Sequence, residues 1–278
     1  MKRIAVIGDI SGFGRCSLTA SIPVISSLGI ECCPFPTAVL SAQTGYSSYH
    51  FIDLTSEFTA YENEWERLGY RFDGILTGYI ASPTQADLID GFIDKFKTDS
   101  TVLLVDPVMA DDGEIYGTYS NELCRKVAEI AKKADIITPN LTELCILADV
   151  KYADITAKST DEDYIEFISS VAESLITDTL KAVIVTGVRY KDEIYNLVCE
   201  KNSRCQIKSQ IFGGSYSGTG DLFASVICAK AVQGVPLKKA VTTASKFLEK
   251  SVQSSFNEGT DRNDGINFQK YLEVLKNE

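Results

Sequence analysis

Short apolar runs alternate with longer apolar segments of helical character along most of the chain. The short runs predict buried strands at 3–8, about 30–35, 74–78, 101–106, 135–138 and 182–187. The longer segments predict helices at 16–28, 55–69, 82–96, 120–132, 139–147, 161–178, about 219–233, 237–255 and 267–276. Residues 192–199 and 204–210 alternate polar and apolar positions, which predicts an antiparallel pair at a sheet edge.

The strands predict the fold class. Strands that are apolar throughout are typical of a parallel sheet covered on both faces. Their alternation with helices predicts an α/β fold of three layers, α/β/α, with a mostly parallel central sheet. No linker, low-complexity tract or block of like charge divides the 278 residues, so we expect a single domain over 1–278.

Composition narrows the class of partner. Apolar residues make up 45% of the chain, enough for a substantial core, and the formal net charge is −11. An acidic protein is a poor match for nucleic acid or an anionic membrane, so we expect neither as a partner. The start, MKRIAVIGDI, predicts a buried strand and not a signal peptide, and no apolar stretch approaches the ~20 residues that span a bilayer. We therefore expect a cytoplasmic protein.

Cysteine and histidine usage argues against a thiolate or imidazole metal site. The eight cysteines form no C-x-x-C pair and lie mostly in apolar segments, which favours buried free thiols. The only histidine is His50, for which an exposed loop or strand edge is expected. One histidine excludes a multi-histidine metal site, and its surroundings do not resemble a nucleophile elbow.

The stretch 211–233 contains four glycines and three hydroxyl residues directly before an apolar helical run. A glycine-rich turn that leads into a helix directs several backbone N–H groups at one point, where the helix dipole adds positive potential. This predicts a phosphate or other anion site. Within it Asp221 is a candidate base for a nucleophile that attacks phosphorus. The alternative interpretation is a helix-capping aspartate.

Polar residues also follow several predicted strands, at the edge where ligands bind in open α/β sheets. The positions after the strands are Asp9 and Ser11, Asp106 and Asp111, Thr138, Asn140 and Glu143, and Thr186. A set of carboxylates without sulfur or imidazole suits Mg²⁺ together with substrate phosphates. Taken singly, Asp106 could cap a turn, and Glu143 could complete a capping box with Asn140. The stretch GDISGFG (8–14) is neither a dinucleotide fingerprint nor a Walker A motif.

Five motifs together resemble the pyridoxal kinase family of the ribokinase-like superfamily. They are GTGDLFAS (218–225), DPVMAD (106–111), ITPNLTE (137–143), LSAQTGY (40–46) and TGY (77–79), in the family's order over nearly the whole chain. The GTGD motif alone marks only the superfamily. Its combination with the other motifs narrows the resemblance to kinases of pyridoxal-type or hydroxymethylpyrimidine substrates.

The resemblance implies transfer of the ATP γ-phosphoryl group to the 5′-hydroxymethyl group of a B6 vitamer. Asp221 would be the base, and the N–H groups of Gly218, Thr219 and Gly220 the anion hole. The other implied sites are ATP contacts at Asn140, Thr186, Ser217, Gly218 and Gly220, vitamer contacts at Asp9, Ser11, Gln43, Thr44 and Tyr79, and metal-site residues Asp106, Asp111, Thr138 and Glu143. The resemblance further implies Mg²⁺, a monovalent cation such as K⁺, and a homodimer.

The substrate loops depart from the better-known pyridoxal kinases. Those enzymes have S-N-H-T-G-Y where this chain has SAQTGY (41–46), so Gln43 and Asp9 are expected to replace the usual ring contacts. The loop GDISGFG is closer to that of hydroxymethylpyrimidine kinases. Against that branch, some of its dual-purpose enzymes have Cys at the position of Asp221, and TGY at 77–79 favours the pyridoxal branch.

The sequence therefore predicts a pyridoxal, pyridoxine or pyridoxamine kinase and leaves three alternatives. The nearest is a hydroxymethylpyrimidine (phosphate) kinase of thiamine biosynthesis. A sugar kinase is more distant. A non-catalytic vitamer-binding protein on the same fold is the third, although such a protein would have no need of the Asp221 carboxylate.

Overall fold

A computed structural model of the chain describes residues 1–276. Its strands are β1 (Arg3–Ser11), β2 (Glu31–Leu40), β3 (Phe51–Asp53), β4 (Gly74–Thr77), β5 (Val102–Val105), β6 (Ala110–Asp111), β7 (Glu114–Ile115), β8 (Ile136–Ile137), β9 (Ala182–Tyr190), β10 (Glu193–Glu200) and β11 (Ser203–Gln210). Its α-helices are α1 (Ser17–Ser27), α2 (Phe58–Arg67), α3 (Pro83–Phe96), α4 (Asn121–Lys132), α5 (Leu141–Leu147), α6 (Tyr152–Thr156), α7 (Tyr164–Ser174), α8 (Thr219–Val232) and α9 (Leu237–Asn257). Short 3₁₀ helices lie at Thr55–Glu57, Arg262–Asp264 and Phe268–Leu275.

The central sheet has nine strands in the order β11-β10-β9-β8-β5-β4-β1-β2-β3. The six strands from β9 to β2 run parallel, whereas β3, β10 and β11 pair antiparallel at the two edges. The predicted mostly parallel α/β sheet and its antiparallel edge pair are therefore confirmed. All parallel strands end at the same edge of the sheet, so the loops that follow them meet there.

Each face of the sheet packs on its own hydrophobic core. Along β1, Ala5 and Ile7 face the core formed with α2, α3, α4 and α7, whereas Ile4 and Val6 face the core formed with α1, α8 and α9. This alternation follows from the two-residue repeat of a strand. It gives the three predicted layers.

Helix α8 is apolar on nearly every side because it is packed between the sheet and two helices. Every residue from Leu222 to Lys230 is buried, and the helix contacts α1, α9, β4 and β5. The start of α8 is thereby fixed at the carboxyl edge of the sheet. The first turn of this helix carries Asp221.

Strand β2 continues to Leu40, beyond the predicted end near residue 35, although it contains Pro34 and Pro36. The two prolines are two residues apart and so direct their missing N–H groups to one side of the strand. Strand β3 reaches only Ala38–Leu40 on the outer side of β2, so the outer side lacks a ladder partner at the prolines. Proline is tolerated in such an edge position.

The other differences concern short elements. The predicted helix over 267–276 is a 3₁₀ helix over Phe268–Leu275. The two helix types have similar spacing of apolar positions over two turns, so the sequence pattern does not distinguish them. The polar segment 151–160 contains the short helix α6, and strands β3, β6 and β7 were not predicted. His50 is exposed at the start of β3, as expected. Within residues 1–276, no helix combines the length and the apolarity needed to cross a membrane.

Candidate active site

The turn before α8 requires glycine at one position above all. Gly218 is the residue before the helix and has φ +82°, a left-handed conformation. A Cβ built on Gly218 would lie 2.0 Å from the carbonyl oxygen of Arg15, so no side chain fits. The close approach of the loop after β1 to the start of α8 thus depends on Gly218. Thr219 and Gly220 follow as the first helical residues, with their N–H groups at the helix N-terminus.

Asp221 is buried and its carboxylate is oriented by a backbone hydrogen bond. Its Oδ2 accepts a hydrogen bond of 2.8 Å from the backbone N–H of Ser17, the first residue of α1. Burial raises the pKa of Asp221 to about 7, with the negative charge of Asp9 adding to the rise and the Ser17 N–H opposing it. A carboxylate with a pKa near neutrality is suited to take a proton at physiological pH.

Asp106, at the end of β5, lies opposite the start of α8. Its Oδ1 accepts a 3.0 Å hydrogen bond from the hydroxyl of Thr138, and a Cβ built on Gly220 would lie 3.7 Å from its Oδ2. Burial, then the negative charges of Glu143 and Asp221, raise the pKa of Asp106 well above its usual value. Asp106 therefore shares an acidic site with Glu143 and Asp221, whose charges disfavour its ionisation.

Glu143 is buried in the first turn of α5. Its Oε1 accepts the N–H of Met109 at 3.0 Å and its Oε2 accepts the N–H of Asn140 at 2.9 Å. Burial raises the pKa of Glu143 to about 7 despite these donors, and Asp111 adds to the rise. The side-chain amide of Asn140 also donates to the carbonyl of Ala110 at 2.7 Å, which ties the segment after β5 to the start of α5.

Asp111 is held by the hairpin of β6 and β7. The hairpin turns at Asp112 and Gly113, which have φ +49° and +85°. Burial and the neighbouring Asp112 raise the pKa of Asp111, whereas Arg262 and Arg189 lower it. The arginines show that positive side chains reach this part of an otherwise acidic site.

These carboxylates fit a magnesium ion that is shared with substrate. Nowhere in residues 1–276 do three His, Cys, Asp or Glu side chains converge closely enough to hold a metal by themselves. Mg²⁺ commonly binds through one or two carboxylates, water and substrate phosphates. The raised pKa values of Asp106, Asp111 and Glu143 indicate negative charge that a cation would stabilise.

The opposite wall of the site contains Asp9, Tyr79 and Thr44. Asp9 is buried and accepts hydrogen bonds from the hydroxyls of Ser11, at 2.8 Å, and Ser17. The Tyr79 ring packs edge-on against the buried ring of Tyr119, with centroids 6.0 Å apart, and Thr44 is exposed. A buried carboxylate and an aromatic ring on one wall suit a planar polar ring.

Gln43 has protein partners at both ends of its amide. Its Nε2 lies 3.2 Å from both Ser217 Oγ and the carbonyl of Asn263, and its Oε1 accepts the N–H of Gly45 at 2.7 Å. The side chain thus joins the loop after β2 to the glycine-rich turn. A direct contact of Gln43 with the substrate ring would have to replace some of these bonds.

All sixteen residues that the sequence analysis placed at the site line one open cleft of about 1300 Å³. The cleft runs along the carboxyl edge of the sheet, from the Asp9 wall past Asp221 to the region of Asn140 and Thr186. The cleft thus brings the predicted residues together. Their individual roles stay predictions.

The cleft also contains residues that sequence reasoning missed. Arg189 and Arg262 are exposed cations on its wall, and Ser17 contacts Asp221 directly. Near the antiparallel edge of the sheet the cleft lining includes four apolar residues among polar ones: Ile194, Ile211, Leu248 and Val252. Arg189 lies in β9 two residues beyond Gly187, and inspection of basic residues near strand ends could have found it. Arg262 and Ser17 lie outside any strand-end pattern.

A mostly parallel sheet covered on both faces, a glycine-rich helix start and facing carboxylates are typical of ribokinase-like small-molecule kinases. The sequence matches the phosphomethylpyrimidine kinase family over residues 14–265, and the chain belongs to that family. The predicted resemblance to pyridoxal kinases of the ribokinase-like superfamily is confirmed as well, because the relatives of the chain include them.

Two relatives, one of them solved in two crystal forms, illustrate the range of the family. A Bacteroides thetaiotaomicron protein assigned to the phosphomethylpyrimidine kinases is 35% identical, with a TM-score of 0.93 over 99% of this chain and 94% of that one. The same protein was solved in a second crystal form with pyridoxal, at 34% identity and a TM-score of 0.87 over 99% of this chain and 96% of that one. A pyridoxine/pyridoxal/pyridoxamine kinase of Bordetella avium is 25% identical over 85% of this chain and 79% of that protein.

Thiamine enzymes also appear among the relatives. The chloroplastic thiamine biosynthetic bifunctional enzyme of Arabidopsis thaliana is 26% identical over 91% of this chain, which spans 46% of that enzyme. The family match and the pyridoxal kinase relatives support a phosphotransferase. The choice between a pyridine and a pyrimidine alcohol is a separate question.

Proposed function

We propose that the protein is an ATP-dependent kinase of B6 vitamers, which phosphorylates the 5′-hydroxymethyl group of pyridoxal, pyridoxine or pyridoxamine. One observation carries the proposal: Asp221, with a pKa raised to about 7 by burial, lies at the anion-binding start of α8 in the same cleft as the Asp9–Tyr79 wall. The pyridoxal in the crystal of the 34%-identical B. thetaiotaomicron protein supports the choice of a pyridine substrate.

The chemistry of this proposal uses Asp221 as the base. Asp221 takes the proton of the vitamer hydroxyl as its oxygen attacks the γ-phosphorus of ATP, and ADP leaves. The N–H groups at Gly218, Thr219 and Gly220 lie at the N-terminus of α8, where they stabilise negative charge on the transferred group. Positioning and charge stabilisation carry most of such a reaction, because the protein forms no covalent bond to the phosphoryl group.

The acidic residues opposite α8 hold the cation of the nucleotide in this proposal. Asp111, Glu143 and Asp106 are the candidate residues, with Thr138 orienting Asp106 by its 3.0 Å hydrogen bond. Mg²⁺ there would neutralise charge on the phosphates. A monovalent cation such as K⁺ beside the Mg²⁺ is a further prediction. A homodimer is another.

The two ends of the cleft suit the two substrates. Asn140, Thr186 and Ser217 offer polar groups to the nucleotide phosphates, and the apolar residues Leu248 and Val252 suit the adenine ring. At the other end, the buried Asp9 can accept a hydrogen bond from a protonated ring nitrogen or an amine, and Tyr79 can pack on the ring. Ser11 and Thr44 add hydroxyl groups to that wall.

The alternative substrate is hydroxymethylpyrimidine or its phosphate. It is favoured by the family match and by the thiamine enzymes among the relatives. The same base, anion hole and cation would serve, because the acceptor is again a hydroxymethyl group on a planar aromatic ring. The two proposals therefore differ only at the Asp9–Tyr79 wall.

An ADP-release assay separates the two proposals. The acceptors are pyridoxal, pyridoxine, pyridoxamine, hydroxymethylpyrimidine and, as a sugar control, ribose. We expect kcat/KM for at least one B6 vitamer to exceed that for the pyrimidine by roughly tenfold or more, the discrimination that one or two polar contacts provide. A higher kcat/KM for the pyrimidine would overturn the B6 assignment, and binding of pyridoxal without ADP release would favour a non-catalytic protein.

A further inference from the structure

Ser17 has an unusual backbone conformation for its residue type. Its φ is +49°, in the left-handed region that residues with a side chain rarely adopt, and it opens helix α1. Glycine would adopt this conformation without strain. Strained backbone of this kind persists where the surrounding structure requires it, often at functional sites.

Two hydrogen bonds account for the conformation of Ser17. Its backbone N–H donates to Asp221 Oδ2 at 2.8 Å, and its hydroxyl donates to Asp9 Oδ1. The other oxygen of Asp9 accepts the hydroxyl of Ser11 at 2.8 Å. Ser17 is thus bonded to the proposed base through its backbone and to the proposed vitamer-binding carboxylate through its side chain.

The side chain of Ser17 does not serve helix α1. The N-cap of α1 is Cys16, which makes no side-chain capping bond, and the Ser17 hydroxyl is directed to Asp9 in place of the helix backbone. The carbonyl of Ser17 accepts a hydrogen bond from the hydroxyl of Ser21 at 3.0 Å, so both the N–H and the carbonyl of Ser17 are hydrogen-bonded. Capping therefore gives no reason for a serine at this position.

The arrangement leaves one oxygen of Asp221 available. Oδ2 is engaged by Ser17, whereas Oδ1 faces Gly78, where even an added Cβ would lie 3.8 Å away. Rotation of the carboxylate would break the Ser17 bond. The N–H of Ser17 therefore fixes the orientation of the Asp221 carboxylate.

We propose that Ser17 is a positioning residue that couples the vitamer-binding Asp9 to the base Asp221. The proposal rests on the proposed function of this site. A substrate that engages Asp9 fixes that carboxylate, the Ser17 hydroxyl bond keeps the backbone left-handed, and the Ser17 N–H keeps Asp221 oriented for proton transfer. Binding of the vitamer ring at Asp9 and orientation of the base Asp221 are thus linked through Ser17.

The test is Ser17→Gly, which removes the hydroxyl and relieves the backbone strain in one change. We expect the melting temperature to change by less than about 2 °C, since relief of the left-handed strain offsets the lost hydroxyl bond to Asp9. We expect kcat to fall by roughly tenfold, because no side-chain bond then holds the glycine backbone in one conformation, and Asp221 loses its fixed orientation. A slower enzyme of unchanged stability is a result that a purely structural serine does not give.

Two further variants make the test specific. Asp149 also has a left-handed φ, +54°, and is exposed outside the cleft, so Asp149→Gly should raise the melting temperature through strain relief alone, at unchanged kcat. In a double-mutant cycle, Asp9→Ala and Ser17→Gly should be non-additive in kcat, because each breaks the same hydrogen bond.

The assays use whichever of the two vitamin alcohols the wild-type protein phosphorylates, and include Asp221→Asn. Loss of turnover in Asp221→Asn with unchanged kcat in Ser17→Gly would overturn the role of Ser17 alone. Additive losses in the Asp9–Ser17 cycle would do the same. Retained turnover in Asp221→Asn would show that Asp221 is not the base. The proposed mechanism and the coupling through Ser17 would then both fail.

Discussion

Asn140 and Glu143 hold each other across the first turn of α5. The Asn140 side chain accepts the Glu143 N–H at 3.0 Å, and Glu143 Oε2 accepts the Asn140 N–H at 2.9 Å. This is a complete capping box. The capping and the metal-site interpretations of Glu143 are therefore compatible, because Glu143 also accepts the Met109 N–H and lines the cleft. A capping residue is well suited to a metal site, since its orientation is already fixed.

Glu143→Ala should affect both folding and magnesium use. It leaves the N–H groups of Met109 and Asn140 without an acceptor, so the free energy of unfolding should fall by about 2–4 kcal/mol. Denaturation is best measured at pH 6, where Glu143 is largely protonated and its loss relieves little charge repulsion. The Mg²⁺ concentration for half-maximal activity should rise. Glu122→Ala is the control, an exposed acid in the first turn of α4, and equal effects in both variants would contradict the assignment.

Asp111 and its neighbour Asp112 form a matched pair for the magnesium site. Asp111→Asn keeps an oxygen that can accept the 3.0 Å bond from the Asp112 N–H, so the hairpin should stay folded while one charge is lost. We expect the Mg²⁺ requirement to rise by roughly tenfold in a titration of activity. Asp112→Asn keeps a residue type that tolerates a left-handed φ and should shift the requirement less than twofold. Identical titration curves for wild type and Asp111→Asn would rule out a role for Asp111 in cation binding.

Two glycines of the 211–221 segment should respond oppositely to alanine. Gly218→Ala places a Cβ 2.0 Å from the Arg15 carbonyl at a φ of +82°, so we expect a loss of about 2–4 kcal/mol in unfolding free energy and a large loss of kcat. No atom lies within 4 Å of a Cβ at Gly214, and Gly214→Ala should change stability by less than about 0.5 kcal/mol. Thermal melting and steady-state kinetics of the pair measure both effects. A Gly218→Ala protein as stable as Gly214→Ala would show that the loop contact is dispensable.

The buried acids predict a pH dependence of stability with a definite sign. Asp221 has a pKa of about 7 in the folded protein against a usual value of 3.8, so the folded state retains a proton that the unfolded state has lost between about pH 4 and pH 7. The contribution of Asp221 to stability is therefore full below pH 4 and is lost as the pH rises to about 7. Asp221→Asn removes this dependence and should be more stable than wild type by about 1–3 kcal/mol at pH 8. Denaturation at pH 5 and pH 8 checks it, and an equal difference at both pH values would contradict the raised pKa.

The layers of the fold follow from the sequence because they depend on local patterns. A run such as TVLLVD (101–106) can be buried on both faces only within a covered parallel sheet, and β5 is in that position. Strands β6 and β7 have two residues each, too few for any alternation to appear. The turn sequence Asp112-Gly113 between them is a known hairpin signal, and it could have predicted the hairpin that holds Asp111.

The position of the site was predictable for a similar reason, whereas the hydrogen bonds between its loops were not. Residues after parallel strands meet at one edge whatever the details, and Gly218–Asp221 is a local motif. The bond from Ser17 to Asp221 and those from Gln43 to Ser217 and Asn263 join residues more than 170 positions apart. No pattern along the chain encodes such contacts, so the orientation of the base and the closure of the loops required the structure.

The most direct test of the account is the turnover of Asp221→Asn. The asparagine carbonyl can still accept the Ser17 N–H, so the geometry is retained while the ability to take a proton is lost. Under saturating ATP, Mg²⁺ and vitamin alcohol, we predict a kcat lower by roughly a hundredfold or more, with ATP binding by calorimetry unchanged. A kcat within about threefold of wild type would contradict the central claim that Asp221 is the base.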